Sequence, residues 1–137
     1  MKKIITFGTF DLFHLGHLKI LERAKEMGDY LIVGVSSDEL NWNKKQKFPI
    51  FPCDQRQKIV GALKCVDEVF VEEVLDKEDY CRKYGADIFV IGDDWEGKPC
   101  GKEGKTFDEQ LEGVCQVHYM SRTPSISTTE IIERIRE

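Results

Sequence analysis

The sequence predicts a doubly wound α/β fold whose single sheet is mainly parallel and has about five strands. Two observations carry this. Apolar runs of strand length alternate with helix-period segments along the whole chain. The inner runs YLIVGV and DIFVIG are also continuously apolar, the pattern of strands covered on both faces. At 137 residues, the chain is read as one domain, 1–137, large enough to bury a core without disulfides or a structural metal.

Taken in order, the run IITF is the first strand. A helix follows from about His17 to Met27, with Ala24 and Met27 on its apolar side and Gly28 as a C′ residue in the left-handed region. Next come a strand YLIVGV, a helix around DQRQKIVGALK and a strand EVFV. A short helix near KEDYCRKYG leads to the strand DIFVIG, and a strand VCQVHYM precedes a last helix STTEIIERIRE. Between DIFVIG and VCQVHYM lies DDWEGKPCGKEGKTFDEQLEG, expected to be too charged and glycine-rich to pack and longer than an ordinary connection. Crossover helices between these strands make the sheet parallel and put ligand sites at the strands' carboxyl ends.

Composition narrows the function classes. With 41% hydrophobic and 33% charged residues and no apolar run of membrane-span length, the chain reads as globular. The start MKKIITFGTFD has its apolar stretch broken by Gly8, Asp11 and His14, so no signal-peptide core is expected and the expected location is cytoplasmic. Five cysteines without a C-x-x-C pair argue against a disulfide framework and a thiolate zinc site. A net charge of −5 argues against nucleic acid as a partner. The local exception is the basic cluster of Lys44, Lys45 and Lys47, followed by Arg56 and Lys58.

The stretch with the most chemistry is GTFDLFHLGH, residues 8–17, at the turn from first strand to first helix. Such a turn aims backbone N–H groups and the positive end of a helix at an anion. Gly8 and Gly16 let a ligand approach the backbone. His14 and His17, three apart, share a helix face and can both donate to one phosphate chain. A single histidine here would be read as a helix cap, but two in this frame favour phosphate. Metal binding by the pair lacks third and fourth ligands, since only Asp11 is near and His118 sits in a later strand. At the other end of the chain, Ser127 and Glu130 form a capping box, with Ile126 and Ile131 at the staple positions. The amides and hydroxyls of Ser127, Thr128 and Thr129 make a second anion cradle, with Arg122 ahead of it. Capping alone would account for Ser127 and Glu130. Two near-matches to a P-loop, GDDWEGKP and PCGKEGKT, each fail at Pro99.

GTFDLFHLGH resembles the H-x-G-H signature of the nucleotidyltransferase superfamily. With LERAKEMGDYLIVGVSSDE, CVDEV, IGDDWEGK and RT-x-x-ISTT in the same order, nearly the whole chain is similar to the cytidylyltransferase family, its glycerol-3-phosphate branch above all. That resemblance implies a Rossmann-like fold, a homodimer, and Mg2+-assisted transfer of CMP from CTP to a small phosphorylated acceptor with release of pyrophosphate. It implies catalytic roles for His14, His17, Lys44 and Arg122. For nucleotide contacts it implies Gly8, Thr9, Phe10, Asp11, His14, Gly16, His17, Lys44, Asp94, Arg122, Thr123, Ile126, Ser127 and Thr128, with Asp11 also a metal candidate or an orienter of its loop. Lys47, Arg56 and Trp95 are candidates for the acceptor, though Trp95 also suits simple packing. The best acceptor is glycerol 3-phosphate; glycerol 2-phosphate, another polyol phosphate and a phosphorylated amino-acid derivative present the same nucleophile. Adenylyl transfer and a catalytically silent nucleotide-binding module are the rival functions. The chain departs from the family in Pro124 and Ser125, where an acidic residue and a glycine are usual, in Lys64, where an arginine is expected, and in the segment WNKKQKFPIFPCD.

Overall fold

The computed structural model describes residues 1–100, 102–121 and 128–137. Five strands form one all-parallel sheet: β1 (Lys3–Gly8), β2 (Tyr30–Ser36), β3 (Glu68–Glu72), β4 (Ile88–Gly92) and β5 (Gln116–Met120), in the order β3-β2-β1-β4-β5. The connections carry α1 (Leu15–Lys25), α2 (Asp38–Lys45), α3 (Cys53–Gly61), α4 (Glu78–Lys83) and α5 (Phe107–Gln110), and α6 (Thr128–Arg136) follows β5. The expected Rossmann-like doubly wound sheet is present, with five strands and every pairing parallel.

Alternation along the strands fills two cores. Ile4, Leu31, Val33, Val35, Ile88 and Val90 point to one face and pack with Leu21 and Ala24 of α1 and Val60 of α3. Ile5, Ile32, Phe70 and Phe89 point to the other and pack with Cys81 of α4 and Phe107 of α5. Because both faces are covered, the inner strands carry no polar face, which is why they read as unbroken apolar runs. The order reverses between β1 and β4, so the crevice at their carboxyl ends is where this topology binds ligands.

Three local expectations change. α1 begins two residues earlier than its apolar period suggested and ends at Lys25, capped by Glu26. Gly28 is not among the left-handed glycines; a side chain there would instead meet the Lys2 carbonyl at 2.7 Å, so close packing demands the glycine. The glycine-rich stretch after β4 does pack: a capping box between Thr106 and Glu109 starts α5, and Phe107 and Leu111 are buried in the second core. α2 was missed because DELNWNKK turns little apolar surface inward; the usable signal was Ser37, whose hydroxyl accepts the Leu40 N–H just ahead of Asp38 and Glu39. Among the described residues, no helix is long and apolar enough to cross a membrane.

Candidate active site

The loop from Gly8 to His14 leaves β1 in a conformation that its own sequence resists. Phe10 and Leu12 have φ of 53° and 48°, in the left-handed region that costs residues with a Cβ about 1 kcal/mol or more. Asp11, between them, supplies the compensation. Its carboxylate accepts the N–H groups of Ile50 at 2.6 Å, Phe51 at 3.0 Å and Leu12 at 3.1 Å. Phe10 folds back over Gly8, where an added Cβ would stand 2.8 Å from its ring. Thr128 Oγ1 donates to the Asp11 carbonyl at 2.9 Å, tying α6 to the loop.

The histidines then cap α1. His14 is the N-cap and His17 the N3 residue of a capping box. Gly16 N–H donates to His14 Nδ1 at 3.1 Å, and His14 N–H donates to His17 Nδ1 at 3.2 Å. Each Nδ1 is thereby an acceptor, so the ring proton of each sits on Nε2. The rings stack at 3.9 Å, and Phe10 and Phe13 close around His17 at 5.7 and 5.3 Å. Burial, then the neighbouring His14, push the His17 pKa from the usual 6.5 down to about 4, against a smaller opposing effect of Asp11. His17 is therefore a neutral N–H donor at pH 7.

Two clefts open at this end of the sheet. The first, about 610 Å³, is lined by Gly8, Thr9, Phe10, Asp11, His17 and Thr128, and across from them by Lys45, Lys47 and the Phe48–Ile50 segment. The second, about 840 Å³, is lined by Lys44, Asp94 and Trp95 together with Glu72 and Lys77. Gly8 and Lys45 belong to both, so the clefts meet over the end of β1. Burial lowers the pKa of both Lys44 and Lys45. Trp95 also packs edge-on against Phe107 at 6.0 Å.

The structure thus brings Gly8, Thr9, Phe10, Asp11, His17, Lys47 and Thr128 to one cleft and Lys44, Asp94 and Trp95 to its neighbour. His14 stacks behind His17, and Gly16 is buried at the helix start. His118 lies on β5, two strands from β1. Arg122, Thr123, Ile126 and Ser127 lie outside the described residues.

Arg56 is corrected from an acceptor contact to a scaffold. It is 1% exposed. Its guanidinium donates to the carbonyls of Phe51, Thr9 and Ser36 at 2.8–2.9 Å and pairs with Asp38 at 2.7 Å. With every nitrogen engaged, it lines neither cleft and holds three loops together instead. Asp11 fits the orienting role: its carboxylate oxygens accept the N–H groups of Ile50, Phe51 and Leu12.

Asn41 is a member of the site that sequence reading missed. It is 1% exposed and donates to Ser36 Oγ and the Ser37 carbonyl at 2.8 Å, while Thr9 Oγ1 donates to its Oδ1 at 2.9 Å. Its signal would have been a polar residue on the inward face of α2, visible only once that helix is placed.

Comparison with known proteins agrees with this geometry. The model of the cytidylyltransferase-like family matches residues 5–134. The chain is 47% identical, over 98% of both chains, to glycerol-3-phosphate cytidylyltransferase of Bacillus subtilis (strain 168). It is 43% identical, over 98% of its length and 96% of the relative's, to the protein of the same name from Staphylococcus aureus (strain NCTC 8325 / PS 47). Among solved structures, the lipopolysaccharide core biosynthesis protein of Thermoplasma volcanium GSS1 superposes with a TM-score of 0.71, at 25% identity over 92% of this chain and 99% of that one. The chain belongs to the cytidylyltransferase-like family and is a nucleotidyltransferase.

Proposed function

We propose that this enzyme transfers the cytidylyl group of CTP to glycerol 3-phosphate, giving CDP-glycerol and pyrophosphate. The observation that carries the chemistry is the anchoring of His17 through Nδ1, which leaves its Nε2–H as a fixed donor in a cleft that also holds Lys45, Lys47 and the amino end of α6. The choice of CTP and of the acceptor rests on the near full-length relatives.

The acceptor phosphate has a second pKa of about 6, so at neutral pH its oxygen is already an anion and needs no strong base. That oxygen attacks the α-phosphorus in line; its P–O bond forms as the bond to pyrophosphate breaks. Negative charge grows on the α-phosphate and the leaving group, where donors fixed beforehand are most effective. His17, with Lys44 and Lys45 from the end of α2, supplies such donors, and His14 holds His17 in register. Arg122, Thr123, Ile126 and Ser127 complete the nucleotide contacts by resemblance, with Asp94 at the end of β4 for ribose or base. Magnesium fits as an ion carried in by the triphosphate, because the described residues build no cage for it. The same resemblance supports a homodimer, and consumption of CTP supports a cytoplasmic location.

The test is pyrophosphate release from each of the four nucleoside triphosphates with magnesium, against a panel of small phosphate esters including both glycerol phosphates. Release with CTP and glycerol 3-phosphate alone is expected. Preference for ATP would overturn the choice of nucleotide, and silence with CTP still bound would indicate a binding module.

A further inference from the structure

α2 carries the cleft lysines, yet it buries little apolar surface of its own: its buried residues are Leu40 and Asn41. Asp38 pins the first turn through Arg56, at 2.7 Å. At the next turn the inward polar residue is Asn41, 1% exposed. Its amide closes a ring of hydrogen bonds with Thr9, just after β1, and Ser36, at the end of β2. The Asn41 nitrogen faces the Ser37 carbonyl at 2.8 Å. A carbonyl only accepts, and this contact tells the amide nitrogen from its oxygen. The nitrogen then also donates to Ser36 Oγ at 2.8 Å, and the oxygen accepts the Thr9 hydroxyl at 2.9 Å. With its proton committed to Asn41, Thr9 Oγ1 accepts from Ser36 Oγ at 3.2 Å. The ring therefore runs in one direction, and the Thr9 proton points inward rather than toward a ligand.

What the members of this ring carry makes it more than a satisfied buried amide. Thr9 opens the loop that leads to His17, and its carbonyl is fixed in turn by Arg56 at 2.8 Å. Lys45 follows Asn41 by four residues on α2, one helical turn along the same face. Asn41, Thr9, His17 and Lys45 all line the first cleft. The Asn41–Thr9 bond thus joins its two donor-bearing sides, the loop with its histidine and the helix with its lysine. A triphosphate held between them needs both sides at a set separation, and an error of about 1 Å can cost about a hundredfold in rate. Resting on the reading of cytidylyl transfer, we propose that Asn41 is a positioning residue: through the Thr9 hydroxyl it sets the separation between Lys45 and the H-x-G-H loop across the triphosphate.

The test is a double-variant cycle on kcat/KM for CTP at saturating glycerol 3-phosphate, with wild type, Asn41→Ala, Lys45→Met and the two combined. Asn41→Ala is expected to lower kcat/KM by about 10- to 100-fold. In the Lys45→Met background it should cost no more than about threefold, since a lysine that is gone cannot be misplaced. A structural loss of active enzyme would instead multiply equally in both backgrounds. Losses that multiply overturn the assignment, including the case in which Lys45→Met alone changes nothing. The KM for glycerol 3-phosphate should stay within about twofold of wild type; a larger rise would place the fault at the acceptor and overturn it too. Thr9→Val removes the same bond and keeps the side-chain shape, so it should reproduce the pattern, and Thr9→Ser should recover most of what Thr9→Val loses. No recovery would overturn the part given to the hydroxyl. If Asn41→Ala does not accumulate, the cycle of Thr9→Val with Lys45→Met carries the test, and wild-type kinetics in Thr9→Val would overturn the assignment. Silence of the wild type with CTP and every phosphate ester would overturn the cytidylyl-transfer reading itself, and this assignment with it.

Discussion

His14 N–H donates to His17 Nδ1 at 3.2 Å, so the first histidine of the pair fixes the ring of the second. The same bond caps α1 and sets the tautomer that the chemistry needs. Substituting His17→Ala removes both. Turnover should fall about 10²- to 10³-fold, while the lost cap costs about 1 kcal/mol of stability. Steady-state kinetics beside a urea melt separates the two, and near-normal turnover in folded protein would refute the catalytic role.

The pH profile carries a second test. With a folded pKa of about 4 against an ordinary 6.5, His17 is neutral from pH 5 upward and should contribute no acid limb near 6.5. The acid limb of kcat/KM should follow the acceptor phosphate near pH 6 and move up when a phosphonate of higher second pKa replaces the ester. A limb that stays put with both acceptors would assign it to the protein. Stability follows the same sign: below pH 6.5 the unfolded histidine takes a proton that the folded one refuses, so this contribution is lost as pH falls toward 4.

Asp11→Asn should loosen the loop that it braces. The amide replaces one acceptor oxygen with a donor that faces the N–H of either Ile50 or Phe51, which donate to different oxygens. A loss of about 2 kcal/mol is expected, with KM for the triphosphate raised. Unchanged melting would show that the strained Phe10 and Leu12 backbone is held by something else.

Arg56→Met should be the most destabilising of these changes, by about 3 kcal/mol or more, because it leaves three carbonyls and Asp38 without their donor. Arg56→Lys keeps the charge but not the fork, and should recover only part of the melting temperature. A melting point equal to wild type for Arg56→Met would contradict the scaffold role.

Arg122→Lys is expected to raise the KM for CTP more than it lowers stability, since a lysine does not reproduce a bidentate contact with phosphate. Kinetics indistinguishable from wild type would remove Arg122 from the site.

The alternation of strands and helices was legible in the sequence because periodicity is local: YLIVGV and DIFVIG carry their double-sided burial in their own composition. So was the position of His14 and His17 at the first turn, where glycines, a strand end and a helix start lie within ten residues of one another. α2 escaped because a short polar helix has almost no period to read.

What only the tertiary structure decided are partnerships across the chain. Asp11 finds its amides 39 and 40 residues away, and Arg56 reaches Thr9 across 47. The sequence left Asp11 as a metal candidate or an orienter of its loop, and Arg56 as an acceptor candidate. A charged side chain looks the same in sequence whether it meets a ligand or a carbonyl. Which it meets depends on the strand order, and that order brings β1, β2 and the α3 loop to one end of the sheet, where the desolvated charge of Arg56 must be satisfied from within.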